Sequence, residues 1–308
     1  SHKILSIGIQ NFRKKVRNDG YFYIDKTALM YQMVKTGSYY FLSRPRRFGK
    51  SLLVSTLEAY FQGKKELFEG LAVGKTGKGL DQISYTASGL NIEKYDTSES
   101  LDNILDKSLT AWEKLYGAEP SERSFSLRFA GIIERACKLA GQRVVILVDE
   151  YDKPMLQAIG NEELQKQFRN TLKPFYGASL KQWTLNQFAF LTGVTKFGKV
   201  SVFSDLNNLD DISMWNEYVE ICGISEREIH NNLETELHEF AAARGITYDK
   251  LCEELRECYD GYHFTHNSIG MYNPFSLLNA FKRKDFGSYW FETGTPTYLV
   301  KLLQKHHY

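Results

Sequence analysis

The chain reads as an α/β protein: a mainly parallel sheet sandwiched by helices, followed by a mostly helical C-terminal lid or accessory domain. Three observations predict this. Short apolar runs at 39–43, 144–148 and 188–193 alternate with amphipathic segments of helical period, the order that calls for right-handed crossovers. Val144-Val145-Ile146-Leu147-Val148 is unbroken and rich in β-branched residues, the pattern of a strand buried on both faces of a parallel sheet. Beyond about residue 224 helical patterns dominate. With 308 residues, two domains are the expectation, and we place them at 1–223 and 224–308.

Each element has a local reason. Residues 3–20 are basic and polar and end at the turn signal Asn18-Asp19-Gly20. Asp25 suits the N-cap of a helix over about 26–36 that Gly37 ends. A strand at 39–43 follows, then a helix with Leu52, Leu53, Leu57 and Tyr60-Phe61 at helical spacing, stopping near Gly63. Residues 74–90 are rich in glycine, serine and threonine. Ile83–Leu90 is their only strand candidate, an edge strand or a loop. Amphipathic helices are expected at about 98–116 and 124–140, ahead of the strand at 144–148. A helix at about 161–177 should be cut by Pro174 and Gly177, and Phe188–Gly193 supplies another buried strand. Helices at about 225–244 and 247–258 precede a turn at Tyr259–Tyr262. Asn273-Pro274 and Thr295-Pro296 then signpost two more helices, each with an N-cap and a proline at the first helical position.

The bulk numbers exclude several classes. Hydrophobic residues make up 43% and charged residues 25%, ordinary globular values. A formal net charge of +2 gives no long-range pull toward nucleic acid or an acidic membrane surface. Cys137, Cys222, Cys252 and Cys258 show no Cys-x-x-Cys spacing, so reduced thiols in a cytoplasmic protein are expected and a zinc site is not. The apolar stretches fall far short of a membrane span, and no basic-then-apolar leader is read at the start.

Two motifs carry chemistry. The strand at 39–43 runs through Arg44, Arg46, Arg47 and Phe48 into Gly49-Lys50-Ser51-Leu52 and a helix, the order of a phosphate-binding loop in a P-loop NTPase. Loop N–H groups and the positive end of the helix would cradle a polyphosphate. Lys50 would reach the β- and γ-phosphates of a nucleotide, and the Ser51 hydroxyl would ligate Mg²⁺. The usual first glycine, separated from Gly49 by four residues, is replaced here by Arg44. The second motif is Asp149-Glu150 at the end of the strand 144–148, the edge where open α/β sheets place ligands. Asp149 suits the hold on Mg²⁺ and Glu150 the polarisation of an attacking water.

These residues resemble successive blocks of the bacterial AAA-ATPase-like family. The matching blocks are Tyr23-Ile24-Asp25-Lys26-Thr27, Leu42–Leu52 and Leu147-Val148-Asp149-Glu150-Tyr151-Asp152-Lys153-Pro154. Phe190–Phe197, Phe203–Leu209, Tyr259–Phe264 and Tyr272–Leu278 agree as well, so the likeness spans about residues 7–303. The family also carries arginine at the first-glycine position. The chain departs from it at Gly198, where serine is usual, and at 82–90, where a clear apolar strand is usual. The resemblance implies a Mg-dependent ATPase. Arg44, Arg46, Arg47, Phe48, Gly49, Lys50, Ser51 and Leu52 form its nucleotide loop, Ser51 and Asp149 hold Mg²⁺, and Glu150 and Lys50 serve catalysis. Thr192, at the end of the neighbouring strand, stands where related ATPases place a γ-phosphate sensor, and it also fits as an ordinary strand residue. Members commonly continue into a PD-(D/E)XK nuclease-like domain, an attached effector for the ATPase to drive or gate. These 308 residues hold no such motif with its strand, so nuclease activity is not assigned to them.

Other readings stay open at this point. Arg169 and Arg227 both qualify as an arginine finger. Arg44, Arg46 and Arg47 could meet nucleotide phosphates, a nucleic-acid backbone or local carboxylates, a thin basis for nucleic-acid binding. Asp152 and Lys153 are expected to cap the next helix in solvent. Asp260 and His263 are expected in a turn with aromatic anchors rather than in a catalytic group. A nucleotide switch with negligible turnover, or a nucleic-acid-binding or self-assembling module, are the alternative functions; the oligomeric state is open.

Overall fold

The computed structural model describes residues 5, 11–17, 22–75, 86–87, 97–182, 185–194, 202–265 and 268–287. Five strands form one sheet in the order β2-β3-β4-β1-β5, and all of its pairings are parallel. They are β1 (Tyr39–Ser43), β2 (Thr86–Ala87), β3 (Val144–Val148), β4 (Asn186–Gly193) and β5 (Asp210–Asp211). β1 and β4 are in register from Tyr39 with Ala189 to Ser43 with Gly193, and β3 lies on the far side of β4.

The period of two in a strand sorts the core onto two faces. Tyr39, Phe41, Val144, Ile146, Val148, Ala189 and Leu191 point to one face. There they meet α5 (Ser98–Tyr116), α6 (Phe125–Ala140) and α8 (Glu162–Leu180) through Leu105, Phe129, Ile133, Phe168 and Leu172. Tyr40, Leu42, Val145, Leu147, Phe188 and Phe190 point to the other, against Met30 and Met33 of α2 (Thr27–Thr36) and Leu53 and Leu57 of α3 (Lys50–Phe61). The sheet is thus sandwiched by helices, and β3 is buried at every position.

The helix ends follow local capping chemistry. Asp25 acts one place earlier than a strict N-cap: its Oδ1 accepts from the N–H and the hydroxyl of Thr27, and its Oδ2 from Ala72 N–H. Thr97 and Ser100 form a reciprocal capping box on α5, and Ser124 caps α6.

Four expectations need correction. Pro174 does not cut α8, which runs unbroken to Leu180. The carbonyl that proline deprives of a partner belongs to Asn170, an exposed residue, while Leu172, Phe175 and Tyr176 hold the helix to the core. The single helix expected at 225–244 is two, α9 (Glu226–Asn232) and α10 (Glu234–Arg244), parted at Leu233, whose side chain is fully buried. Tyr259–Tyr262 is not a turn: α11 (Tyr248–Tyr259) passes directly into β7 (Asp260–Tyr262). β7 joins β6 (Ile224–Ser225) and β8 (Met271–Tyr272) in an antiparallel sheet of order β6-β8-β7, so the C-terminal segment is not helical alone. Its cross-strand partner is what a local reading of 259–262 lacks. Within Ile83–Leu90, Thr86–Ala87 forms the edge strand β2 and the rest lies outside the described residues, as do Asn18-Asp19-Gly20, Gly198 and Thr295-Pro296.

Asn273 and Pro274 open α12 (Pro274–Arg283) as expected. The described part of 224–287 has its own apolar cluster, with Leu233, Leu237, Phe240, Leu251, Leu255, Leu277 and Phe281 at its centre. An ion pair from Lys26 Nζ to Glu228 Oε1 at 2.7 Å ties it to the start of α2.

Candidate nucleotide site

The loop between β1 and α3 is shaped by two left-handed residues, Arg47 at φ 61° and Gly49 at φ 93°. Gly49 takes that conformation without the penalty a β-carbon brings and turns the chain into α3. No side chain caps the start of this twelve-residue helix, so its first N–H groups and the positive end of its dipole face an adjoining cavity. Lys50 is only 4% exposed, and its ammonium donates to the carbonyls of Arg44 at 2.7 Å and Pro45 at 2.8 Å. Burial pushes its pKa below the ordinary lysine value, with Glu150 and Asp149 acting in the opposite sense.

The acidic end of β3 closes the same site. Ser51 Oγ donates to Asp149 Oδ2 at 2.5 Å, and Thr192 Oγ1 donates to Asp149 Oδ1 at 2.6 Å. The Thr192 oxygen in turn accepts from Glu150 N–H at 3.0 Å. Glu150 adopts φ 51°, a region that non-glycine residues rarely occupy. Bonds from Tyr151 N–H to Thr192 O and from Lys153 N–H to Glu150 O brace this turn, and Glu150 borders the cavity. One chain of hydrogen bonds therefore joins α3, β3 and β4, because β4 lies between the two strands that carry the motifs.

The cavity measures about 390 Å³. Six basic residues border it (Lys15, Lys26, Arg46, Arg47, Lys50 and Lys153) against one acid, Glu150. Phe22, Ile24, Ile224, Phe275 and Leu278 give it an apolar side. Its size suits a small-molecule ligand, and its charge suits a polyanion.

The structure brings together Arg46, Arg47, Phe48, Gly49, Lys50, Ser51, Leu52 and Glu150 around the cavity, with Asp149 and Thr192 behind Ser51. One side chain read from sequence as a ligand contact points elsewhere. Arg44 is 1% exposed: its guanidinium donates to the carbonyls of Ser43, Ser213 and Tyr218 and lies 3.9 Å from the ring centre of Phe264. Burial pulls its pKa down to about 10. That removes Arg44 from any phosphate or nucleic-acid surface. Phe48 is fully buried and packs edge-on against Tyr262 and Phe264, and it also borders the cavity. Neither Arg169 nor Arg227 borders the cavity, and Arg227 pairs with Glu220.

Asp152 corrects another expectation. It is fully buried, and its Oδ2 accepts from Val194 N–H at 2.9 Å, so it secures the end of β4 rather than meeting solvent. The C-terminal walls of the cavity, Ile224, Phe275 and Leu278, were missed from sequence, although Asn273-Pro274 marked the helix that brings two of them. His263 is exposed and bonds the carbonyl of Ser268. Among the described residues no group of His, Cys, Asp and Glu is arranged to hold a metal by itself, and no helix is long and apolar enough to cross a membrane.

A family description, AAA-ATPase-like (predicted AAA-ATPase), matches residues 6–203, well over half of the chain. The chain belongs to the AAA-ATPase-like family. It is also 40% identical, over 303 residues, to an uncharacterized protein in the vnfD 5′ region of Azotobacter chroococcum mcd 1. That alignment covers 98% of the chain but only 56% of the relative. The family implies ATP binding, and β1 with its loop, β3 and β4 all fall inside the matched residues.

Proposed function

We propose that the chain binds Mg·ATP and hydrolyses it, and that turnover drives or gates an effector, in cis or as a partner, of nuclease-like type. The observation that carries the chemistry is the hydrogen-bonded chain Ser51–Asp149–Thr192–Glu150 beside the buried Lys50. The residues fit the absent groups. Ser51 and Asp149 offer adjacent hard oxygens of the kind Mg²⁺ selects, and the cationic cavity with an uncapped helix start matches a polyphosphate. When bound, the metal would neutralise charge on the phosphates.

The protein's own part is positioning and charge stabilisation. Lys50 would leave the Arg44 and Pro45 carbonyls for phosphate oxygens. Glu150, aimed at the cavity by its left-handed backbone, would accept a hydrogen bond from the attacking water. Thr192 fixes the Asp149 carboxylate and the Glu150 backbone together, so it orients both acids. The apolar side of the cavity accommodates a base, and adenine follows from the family. Residues 224–308 are proposed as the accessory domain that completes this pocket. The greater length of the relative is consistent with a further effector region.

The test is phosphate release from Mg·ATP by the chain, Lys50→Ala and Glu150→Gln. Loss of turnover in both, with binding kept in Glu150→Gln, is expected. Binding without turnover in the wild type would instead indicate a nucleotide switch.

A further inference from the structure

We propose that Asn273 is a positioning residue for the phosphate loop, and that through it the loop's state is coupled to α12. This inference rests on the nucleotide reading above. Asn273 is 3% exposed and uses both ends of its amide. Its Oδ1 accepts from the N–H groups of Phe275 at 3.0 Å and Ser276 at 3.2 Å, capping α12. Its Nδ2 donates to the carbonyl of Arg46 at 3.1 Å, inside the phosphate loop.

Neighbouring contacts make the loop's outer wall from the C-terminal segment. The Phe48 ring packs edge-on against Tyr262 at 5.0 Å and Phe264 at 5.3 Å between centres. Arg44 stacks on Phe264, and the Arg47 guanidinium lies 5.1 Å from the centre of Phe275. Loop residues 44, 46, 47 and 48 are each held from this side. The inner side is held by Lys50 on the carbonyls of Arg44 and Pro45, the two residues next to the carbonyl that Asn273 grips.

The lysine therefore has two alternative partners, loop carbonyls or ligand phosphates, and that choice is a two-state element. Seating a phosphate frees the 44–45 carbonyls while Asn273 keeps hold of the next one, so the cap of α12 feels the exchange. Pro274, Phe275 and Leu278 of the same helix border the cavity, which gives α12 a ligand-facing side to move. If that bond is stronger with phosphate seated than without, linkage requires that a substitution cutting it lowers phosphate affinity.

The experiment compares wild type, Asn273→Asp and Asn273→Ser. Both replacements are good N-caps and keep α12 closed, but neither offers the N–H to Arg46. Calorimetry would follow inorganic tripolyphosphate and Mg·ATP, and hydrogen exchange would follow amides 275–280 with and without ATP. The expected result is an affinity for both ligands lowered at least about fivefold in both variants, measured well below each protein's unfolding temperature. ATP should protect the first turn of α12 in the wild type and not in the variants. Equal protection in all three proteins would overturn the proposal, as would weakening in Asn273→Asp alone, which would be a charge effect. If the wild type binds both ligands and the variants match it, only the coupling falls. If the wild type binds neither, the nucleotide reading falls and takes the coupling with it.

Discussion

Thr192 and Asp149 are joined across neighbouring strands: the Thr192 hydroxyl donates to Asp149 Oδ1 at 2.6 Å while accepting from Glu150 N–H at 3.0 Å. Thr192 is fully buried. Thr192→Val keeps the shape and removes both bonds. We expect turnover or Mg²⁺ affinity to fall about 10- to 100-fold, as for other residues that orient metal-binding groups. Thr192→Ser should restore most of it. A Mg²⁺ titration of phosphate release checks this.

The alkaline limb of ATP binding should be set by Lys50. A bound polyphosphate raises its proton affinity, so the complex holds more protons than the free protein near the lowered pKa. Affinity must then fall as pH rises through that value, at a pH below the 10.5 of an ordinary lysine. Lys50→Arg, which stays charged, should flatten the decline even if it binds less well. Calorimetric affinities from pH 7 upward, at constant ionic strength, decide the matter.

Gly223 is a second route into the loop. It sits at φ 91°, and a β-carbon there would lie 2.4 Å from a Phe48 ring carbon. Gly223→Ala therefore combines backbone strain with a clash, a cost of about 1–3 kcal/mol. Because Phe48 belongs to the loop, ATP affinity should drop along with the unfolding temperature. A variant that loses stability yet keeps wild-type affinity would show that the Phe48 ring does not shape the loop.

Far from the site, Gly131 allows α6 to pass the Glu122 carboxylate. A β-carbon would lie 1.5 Å from Glu122 Oε2, which Arg135 holds at 2.9 Å. Hydrogen bonds from Arg135 keep the Glu122 pKa below the usual 4.5. That contribution to stability is present above the ordinary glutamate value and is lost as pH falls through the lowered one. Gly131→Ala should lower the unfolding temperature at pH 7 and narrow its difference from wild type at acid pH, with turnover unaffected.

How much was legible in the sequence follows the reach of each interaction. Asn273 announced its helix because a cap is written within four residues, and α5 and α6 were readable from their amphipathic spacing. β3 and the Gly-Lys-Ser loop were readable for the same reason, since each is written in a short stretch of chain. Arg44 misled, since its partners Ser213, Tyr218 and Phe264 lie some 170 or more positions away. Asp152 looked like a surface cap because nothing near it in sequence reveals Val194. β7 looked like a turn until Met271 and Tyr272 supplied its partner strand.

The bond from Asn273 to Arg46 spans 227 positions of chain. At about 5–20 residues per second, a ribosome that has just released Arg46 needs roughly 11–45 s more before Asn273 exists. The nascent protein thus carries its complete Gly-Lys-Ser sequence long before that loop has an outer wall. A nucleotide offered during this interval meets a segment still lacking its last support. Competence to bind should therefore arrive late and abruptly in synthesis, a timing that a series of stalled nascent chains would display.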